Sequence, residues 1–390
     1  KYSPDLITLD SETGVIHGSR LDRSPFVFVS VSYGLSFFNL VKIFERSRIP
    51  LLKKDREKGM FPILIAGGVA VMLNPEPLKL IFDAVFTGEG ECMEQDIISM
   101  LELGTREEVF DLIGRFPYAL TGGKDHSEYV CAKAGSFCVS SSPVLHSMGN
   151  CFNDRNIIEI SRGCTGKCRF CAASYVYRTF REAGRPEVMS RVESSIEKGE
   201  GIALMGASLA SCSFFDEILE KCASVPVSIS LSSLKAAEIT ESRAVLLKKC
   251  GVKTVTVAVE SADEVTRKAI LKNLSKETIF NAMDVLKRHD LRSRIYIIAG
   301  LPSTEPVTEA EALINLLEEL DRRKLLNGTD LSVAPFAPKP FTPYQNEQMM
   351  SKKEYKIFSD TVRKGLLKLD SRVKAEFFPY RESVLDVMCG

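Results

Sequence analysis

The feature that most constrains the fold of this 390-residue chain is a regular alternation of apolar runs and helical patterns that begins near residue 156. Each apolar run has the length of a buried strand and is followed by apolar residues at helical spacing. Six runs have this form: NIIEIS (156–161), IALMG (202–206), VSISLSS (227–233), TVTVAVES (254–261), RIYIIAG (294–300) and DLSVAPF (330–336). Six βα repeats predict a partial (β/α)6 barrel, whose chemistry lies at the C-terminal strand ends.

A second α/β domain is predicted ahead of the barrel. Its strand-length runs are FVFVSVSY (26–33), FPILIAGGVA (61–70) and FDAVFTGEG (82–90), with helical spacing between the first two. Such an alternation predicts an open, Rossmann-like sheet that binds ligands beyond its strand ends. We therefore predict an N-terminal domain (1–117), a linker (118–155), the barrel (156–345), and a C-terminal helix with a short strand (346–390).

Composition limits the setting in which the chain works. Lys and Arg balance Asp and Glu at 51 each, so no overall charge attracts nucleic acid or an anionic membrane. No apolar run approaches the roughly 20 residues of a membrane span. Eleven cysteines without a secretory leader predict reduced thiols in the cytoplasm. The abrupt termini leave open that the chain is a fragment.

Three cysteines in the stretch SRGCTGKCRFC (161–171) follow the first barrel strand directly. Cys164, Cys168 and Cys171 have the spacing C-x3-C-x2-C, and thiolates are soft ligands that suit iron–sulfur clusters and zinc. Structural zinc normally takes four ligands in paired C-x2-C units, and no second pair is present. Three ligands predict a metal centre with one open position. Zinc with a distant fourth ligand, or three buried cysteines by chance, are the alternatives.

This motif after the first strand of a βα barrel, with Phe170 just before its last cysteine, resembles that of the radical S-adenosylmethionine (SAM) superfamily. The resemblance covers residues 155–345. It implies that Cys164, Cys168 and Cys171 hold a 4Fe-4S cluster whose open iron chelates SAM. It further implies that an electron from a flavodoxin- or ferredoxin-type donor cleaves SAM to methionine and a 5′-deoxyadenosyl radical.

The same resemblance implies SAM contacts along the strand ends. The second strand offers Gly206, Ala207 and Ser208, within MGAS where many members carry two glycines and an acid. Ser232 and Glu260 are expected at the ribose and carboxylate, and Gly300 at the adenine. Arg267 is expected either to pair with the SAM carboxylate or to be a solvated helix charge. The predicted cofactor-binding residues are thus Phe170, Gly206, Ala207, Ser208, Ser232, Glu260 and Gly300.

The stretches LNPEPLKLIFDAVFTGEGE and PKPFTPYQ resemble the subgroup with a cobalamin-binding-type domain ahead of the barrel. Bound cobalamin is therefore possible, with Gly67 and Gly68 near its tail; their alternative role is a tight turn. The Asp-x-His-x-x-Gly motif that supplies a cobalt ligand is absent from the sequence, and none of the four histidines fits it. Some members of the subgroup hold cobalamin without a histidine ligand.

Six basic residues lie within or shortly after the stretch 161–171, which we call the cysteine loop. They are Arg162, Lys167, Arg169, Arg178, Arg181 and Arg185. They could recognise an anionic substrate such as a nucleotide, phosphate or RNA backbone. They could instead raise the cluster potential or balance the thiolates, and we favour these two roles. The leading function is a radical SAM reaction, with cobalamin-assisted methyl transfer as its sharper form. The alternatives are cobalamin-free modification of RNA, a peptide or a small molecule, and a non-catalytic iron–sulfur or zinc module. The substrate and further catalytic residues are not indicated.

Overall fold

The computed structural model describes residues 20–56, 59–121, 137, 155–177, 179–326 and 328–389. The chain forms two compact units, Lys1–Gly135 with Leu385–Gly390, and Ser136–Val384. Most of the predicted linker, together with Cys131, Cys138, Cys151, Arg178 and every histidine except His289, lies outside the described residues.

A small sheet organises the described part of the first unit. Its strands are β1 (Phe26–Ser30), β2 (Ile63–Gly67), β3 (Ala84–Phe86) and β4 (Ala119–Leu120); the first three are parallel, and β4 is antiparallel to β3. The helices are α1 (Phe37–Arg46), α2 (Val69–Leu73), α3 (Glu94–Leu101) and α4 (Arg106–Ile113). Helix α1 buries one apolar face against the sheet.

The second unit contains the predicted strands in the predicted order. One parallel sheet holds β5 (Asn156–Glu159), β8 (Ile202–Met205) and β9 (Ile229–Leu231). A second parallel sheet holds β10 (Thr254–Glu260), β11 (Arg292–Ala299), β12 (Asp330–Pro335) and β13 (Lys374–Phe377). A bridge from Leu234 to Val257 connects the two sheets. The short hairpin of β6 (Ser161–Arg162) and β7 (Arg181–Glu182) flanks the cysteine loop.

The C-terminal strand differs from its predicted place outside the barrel. Strand β13 pairs in parallel with β12, with Leu331 opposite Ala375 and Val333 opposite Phe377. The described residues therefore give the barrel seven parallel strands, one more than the six repeats predicted. Pairing satisfies backbone groups that an isolated strand would expose at the edge of β12.

Helices alternate with the barrel strands, and the last of them ends in residues that belong to the first unit. They are α5 (Ala173–Val176), α6 (Arg185–Glu197), α7 (Phe215–Ala223), α8 (Glu241–Lys249), α9 (Glu264–Ala269), α10 (Lys276–Arg288), α11 (Pro306–Arg322), α12 (Lys352–Leu366) and α13 (Tyr380–Cys389). Alternate residues of β10 (Val255, Val257 and Val259) are buried in the same apolar core as the inner face of α10. Among the described residues, no helix combines the length and apolarity needed to cross a membrane.

Candidate metal centre and its surroundings

The cysteine loop begins at the C-terminal end of the first barrel strand, where Ile160 is paired with β8 and Ser161 begins the hairpin. Gly166 lies between two of the thiols, because a Cβ on it would stand 3.5 Å from Cys164 Sγ and 3.9 Å from Cys168 Sγ. The Gly166 N–H also donates to Cys164 Sγ at 3.3 Å. A hydrogen bond of this kind stabilises a thiolate and tunes a bound cluster.

Burial raises the pKa of two thiols of the loop, those of Cys168 and Cys171, in the absence of a metal. It raises the pKa of Cys168 to about 11, partly opposed by the positive charge of Lys272 and reinforced by the neighbouring Cys171. Burial also raises the pKa of Cys171, against the backbone N–H of Ala173. Protonated thiols release their protons when they bind metal, so assembly at this loop is expected to be favoured by higher pH.

Two backbone hydrogen bonds connect Arg169 of the cysteine loop to distant parts of the chain. Arg169 donates its N–H to the Ile270 carbonyl at 3.0 Å and accepts from the Tyr344 N–H at 3.2 Å. Phe170, a predicted cofactor contact, packs against a small apolar cluster of Ile270, Leu301, Phe336 and Tyr344. In the structure Phe170 therefore anchors the loop, and its contact with SAM stays a prediction.

The end of β8 approaches the cysteine loop closely at Gly206. A Cβ on Gly206 would come 2.5 Å from Ser161 Oγ, so only glycine fits at this approach without displacing Ser161. The Ser161 hydroxyl is buried and has no hydrogen-bond partner in the part of the chain that the structure describes. Ser232 donates to the Gly206 carbonyl at 3.0 Å, which brings two predicted cofactor residues together.

The other two predicted residues of this segment differ in exposure. Ala207 is exposed, whereas Ser208 is buried and lies within hydrogen-bond distance of Lys235. Lys235 was missed by the sequence analysis, because no motif singles out a lysine four residues after a short strand. Its ammonium also contacts Thr165 of the cysteine loop.

Glu260 occupies a strained position at the end of β10. Its φ is +69°, and the pairing of β10 with β11 shifts register at this residue. A non-glycine residue with positive φ is often found at functional sites. Its carboxylate accepts from Lys272 Nζ at 3.1 Å, and both side chains are largely buried. Lys272 is the second basic residue that the sequence analysis missed.

The backbone after β11 is largely engaged within the protein. The Gly300 N–H donates to Glu309 at 2.8 Å, and Met350 fills the space beside its Cα. The Ala299 carbonyl accepts from the Phe336 N–H. Gly300 adopts a φ of +78°, which favours glycine. A contact of Gly300 with adenine stays a prediction and would have to use its carbonyl.

Arg267 fits neither of its expected roles. It is 1% exposed, and its guanidinium donates to the carbonyls of Leu274, Ser261 and Ala262 at 2.7–2.8 Å. These bonds hold the turn after β10 to the start of α10. Arg267 therefore has a structural role. The predictions of a SAM carboxylate contact and of a solvated charge are both wrong, because the guanidinium is buried and bonded to backbone carbonyls.

The basic residues around the loop do not form one uncompensated patch. Arg162 makes two 2.9 Å bonds to Glu159 and lies over the ring of Phe137. Arg185 pairs with both carboxylate oxygens of Glu217. Lys167 and Arg169 are exposed. Since two of the arginines have carboxylate partners, the cluster offers less positive charge to an anionic substrate than the sequence suggests.

The residues present fit a 4Fe-4S cluster. The loop places the thiols of Cys164 and Cys168 beside the small Gly166, whose N–H donates to Cys164 Sγ. The Ser161 hydroxyl, at the start of the loop, is buried without a hydrogen-bond partner among the described residues. Over the described ranges, no three His, Cys, Asp or Glu side chains converge as ligands of a single metal ion. In a four-iron cluster each cysteine binds a different iron, so convergence on one point is not required.

Comparison with known proteins decides the family. The family profile described as "Radical SAM superfamily" matches residues 158–317, and that described as "Radical SAM proteins, N-terminal" matches residues 6–113. "Uncharacterized protein MJ0966" of Methanocaldococcus jannaschii is 30% identical over 366 residues, which cover 92% of this chain and 76% of that protein. The chain belongs to the radical SAM superfamily. Membership implies a 4Fe-4S cluster and SAM.

Solved radical SAM structures share the fold of this chain. TsrM from Kitasatospora setae, a radical SAM methyltransferase with cobalamin and a 4Fe-4S cluster bound, superposes with a TM-score of 0.58 at 15% identity, covering 83% of this chain. The cobalamin-dependent radical SAM enzyme OxsB gives 0.57 at 17% identity, covering 88% of this chain. The chain spans less than two thirds of either structure, 66% of TsrM and 48% of OxsB.

These matches confirm the predicted resemblance and the α/β fold class with parallel sheets, whereas the barrel has seven parallel strands among the described residues and not six. The domain boundaries and the individual SAM contacts stay predictions.

Proposed function

We propose that this radical SAM enzyme holds its 4Fe-4S cluster on Cys164, Cys168 and Cys171 and binds SAM at the C-terminal ends of the barrel strands. The observation that carries the proposal is the position of Gly166 beside the thiols of Cys164 and Cys168, in the loop that follows the first barrel strand. When bound, the reduced cluster supplies the electron that cleaves SAM to methionine and a 5′-deoxyadenosyl radical. The electron is expected to come from a flavodoxin- or ferredoxin-type donor.

The residues of the chain hold and shape this site. The Gly166 N–H and the packing of Phe170 fix the thiols, while Gly206 allows the end of β8 to approach Ser161. The buried Ser161 hydroxyl, with no partner among the residues described, is free to bond a polar group of SAM. Glu260 provides a carboxylate at the end of β10, held in place by Lys272.

The finer proposal is cobalamin-assisted methyl transfer. The ends of β2 and β3 in the first unit offer open backbone, since a Cβ on Gly67 would meet only the Phe86 carbonyl at 3.8 Å and one on Gly90 would meet nothing within 4 Å. Gly68, with a φ of +104°, makes the tight turn against Val31. The one described histidine, His289, contacts Glu241 in the other unit. We therefore expect cobalamin binding without a histidine ligand from the described residues.

Anaerobic reconstitution tests the first proposal. Wild-type protein should take up iron and sulfide and form 5′-deoxyadenosine from SAM after dithionite reduction, as measured by mass spectrometry. Cys168→Ala should lose both, because two thiolates cannot replace three. Cys222→Ala, a buried cysteine of α7, is the matched control and should keep its iron. Full iron content in Cys168→Ala would contradict the ligand assignment, and zinc in place of iron would favour the zinc module.

Cobalt content separates the finer proposal from its alternative. Protein purified with hydroxocobalamin should retain a visible cobalamin absorption band after gel filtration and transfer a methyl group from SAM. A protein that forms 5′-deoxyadenosine but retains no cobalamin would support a cobalamin-free radical reaction instead. A protein that binds the cluster and SAM without forming 5′-deoxyadenosine, even with candidate substrates, would support a non-catalytic module.

A further inference from the structure

A polar cluster that the proposed function leaves unused surrounds the ammonium group of Lys235. Lys235 Nζ lies 2.7 Å from Ser208 Oγ, 2.9 Å from Thr165 Oγ1 and 3.3 Å from Ser211 Oγ. It also lies 3.2 Å from Glu238 Oε1. An ammonium group has three hydrogens to donate, so these four acceptors satisfy it completely.

The contact with Thr165 reaches directly into the cysteine loop. Thr165 lies between Cys164 and Gly166, and 70 positions separate it from Lys235. Ser211, in the segment after β8, is within 3.3 Å of the same hydroxyl and belongs to the same cluster. The cluster therefore joins three segments: the cysteine loop, the segment after β8, and the segment after β9.

Lys235 forms an ion pair with Glu238, and its ammonium is the member of the pair that contacts Thr165 of the cysteine loop. Three of its contacts are neutral hydroxyls, and the Glu238 carboxylate also accepts the Lys235 backbone N–H at 3.1 Å. A 4Fe-4S cluster on three thiolates gains one negative charge when it is reduced. A nearby ammonium stabilises that charge, and the potentials of such clusters depend on neighbouring charge and hydrogen bonds.

We propose that Lys235 is a positioning residue that ties the cysteine loop to the ends of β8 and β9 and raises the reduction potential of the cluster held there. The inference rests on the proposed function, since it requires a cluster on Cys164, Cys168 and Cys171. Lys235 acts through Thr165 and through its charge, without serving as a ligand.

Two variants separate the hydrogen bond between Lys235 and Thr165 from the positive charge of Lys235. Thr165→Val removes the acceptor in the exposed loop and keeps the lysine, so iron release to a chelator should become several-fold faster at nearly unchanged potential. Lys235→Met removes the hydrogen bond and the positive charge together. Iron release should then be faster, and the reduction potential of the cluster should be more negative in a dithionite titration followed by electron paramagnetic resonance. Lys248→Met, which removes a lysine paired with Asp290, is the control and should change neither quantity.

Wild-type potential and wild-type iron release in a folded Lys235→Met protein would overturn the inference. If Lys235→Met does not fold, iron release from Thr165→Val tests the inference. Unchanged iron release in that variant would show that Lys235 does not hold the cysteine loop through Thr165. A wild-type protein that assembles no cluster would contradict the proposed function, and this inference with it. An assembled wild-type cluster combined with unaffected variants would contradict this inference alone.

Discussion

Lys272 Nζ lies 3.1 Å from Glu260 Oε1, and these two largely buried side chains form an ion pair beside the cysteine loop. Glu260 ends a barrel strand with a strained backbone, and Lys272 follows helix α9 twelve residues later. The pair places one positive and one negative charge near Cys168. At Cys168 the lowering of the thiol pKa by Lys272 exceeds the raising by Glu260, whereas at Cys171 Glu260 raises the pKa. The effect of the pair on local stability is expected to be large.

Breaking this pair should destabilise the protein. Glu260→Gln leaves the Lys272 ammonium buried without a counter-charge, which should cost about 3 kcal/mol of unfolding free energy. Urea unfolding measures the change, and the double variant with Lys272→Met should recover much of it. Glu264→Gln, which breaks a more exposed pair with Lys268, is the control. Equal losses in the single and double variants would show that the two side chains are not coupled.

The close approach at Gly206 makes a prediction about one added methyl group. Gly206→Ala should lower stability by roughly 1–3 kcal/mol, because the new Cβ overlaps Ser161 Oγ. Adding Ser161→Ala removes the overlapping atom and should restore most of the loss in thermal unfolding. Gly104→Ala is the control, since a Cβ there meets only Glu108 at 4.0 Å. Full stability in Gly206→Ala would contradict the geometry.

Removing the buried guanidinium of Arg267 should unfold the turn it holds. Arg267→Met leaves the carbonyls of Ser261, Ala262 and Leu274 without their donor, which should cost about 3 kcal/mol or more. Arg267→Lys should not rescue stability, because one ammonium cannot reproduce the planar fork. The exposed Lys268→Met, on the same helix, is the control. A stable Arg267→Met with weakened SAM binding would restore the ligand role rejected above.

Stability should depend on pH through Glu309. Burial raises the pKa of Glu309 from 4.5 to about 7, partly opposed by the Gly300 N–H. Between these values the unfolded chain ionises while the folded protein keeps the proton, so stability falls as pH rises from about 4.5 to 7. The loss is at most about 3 kcal/mol, at 1.36 kcal/mol per pKa unit.

Glu309→Gln should remove this part of the pH dependence, because the amide imitates the protonated carboxyl. Urea unfolding at pH 5 and pH 8 should show a smaller difference in the variant than in the wild type. Glu311→Gln, an exposed change on the same helix, controls for the loss of a carboxylate. If Glu309→Gln and wild type lose the same stability between the two pH values, the buried carboxyl does not titrate as expected.

The sequence by itself determined the order of the barrel strands and singled out three candidate metal ligands. Strand and helix spacing are local properties, so the six runs from 156 to 336 predicted six parallel strands that the structure contains. The spacing of Cys164, Cys168 and Cys171 is equally local, and it led to the family that the comparisons show. The pairing of β13 with β12 was not predictable, since nothing in a short strand specifies its neighbour.

Only the tertiary structure decided which charged residues serve the cysteine loop. The sequence left Arg267 open as a SAM carboxylate contact or a solvated charge, yet its guanidinium is buried on backbone carbonyls. Lys235 reaches the loop across 70 positions, and Lys272 reaches Glu260 across twelve. The energy of a charge depends on its burial and on partners distant in the chain, and local patterns contain neither.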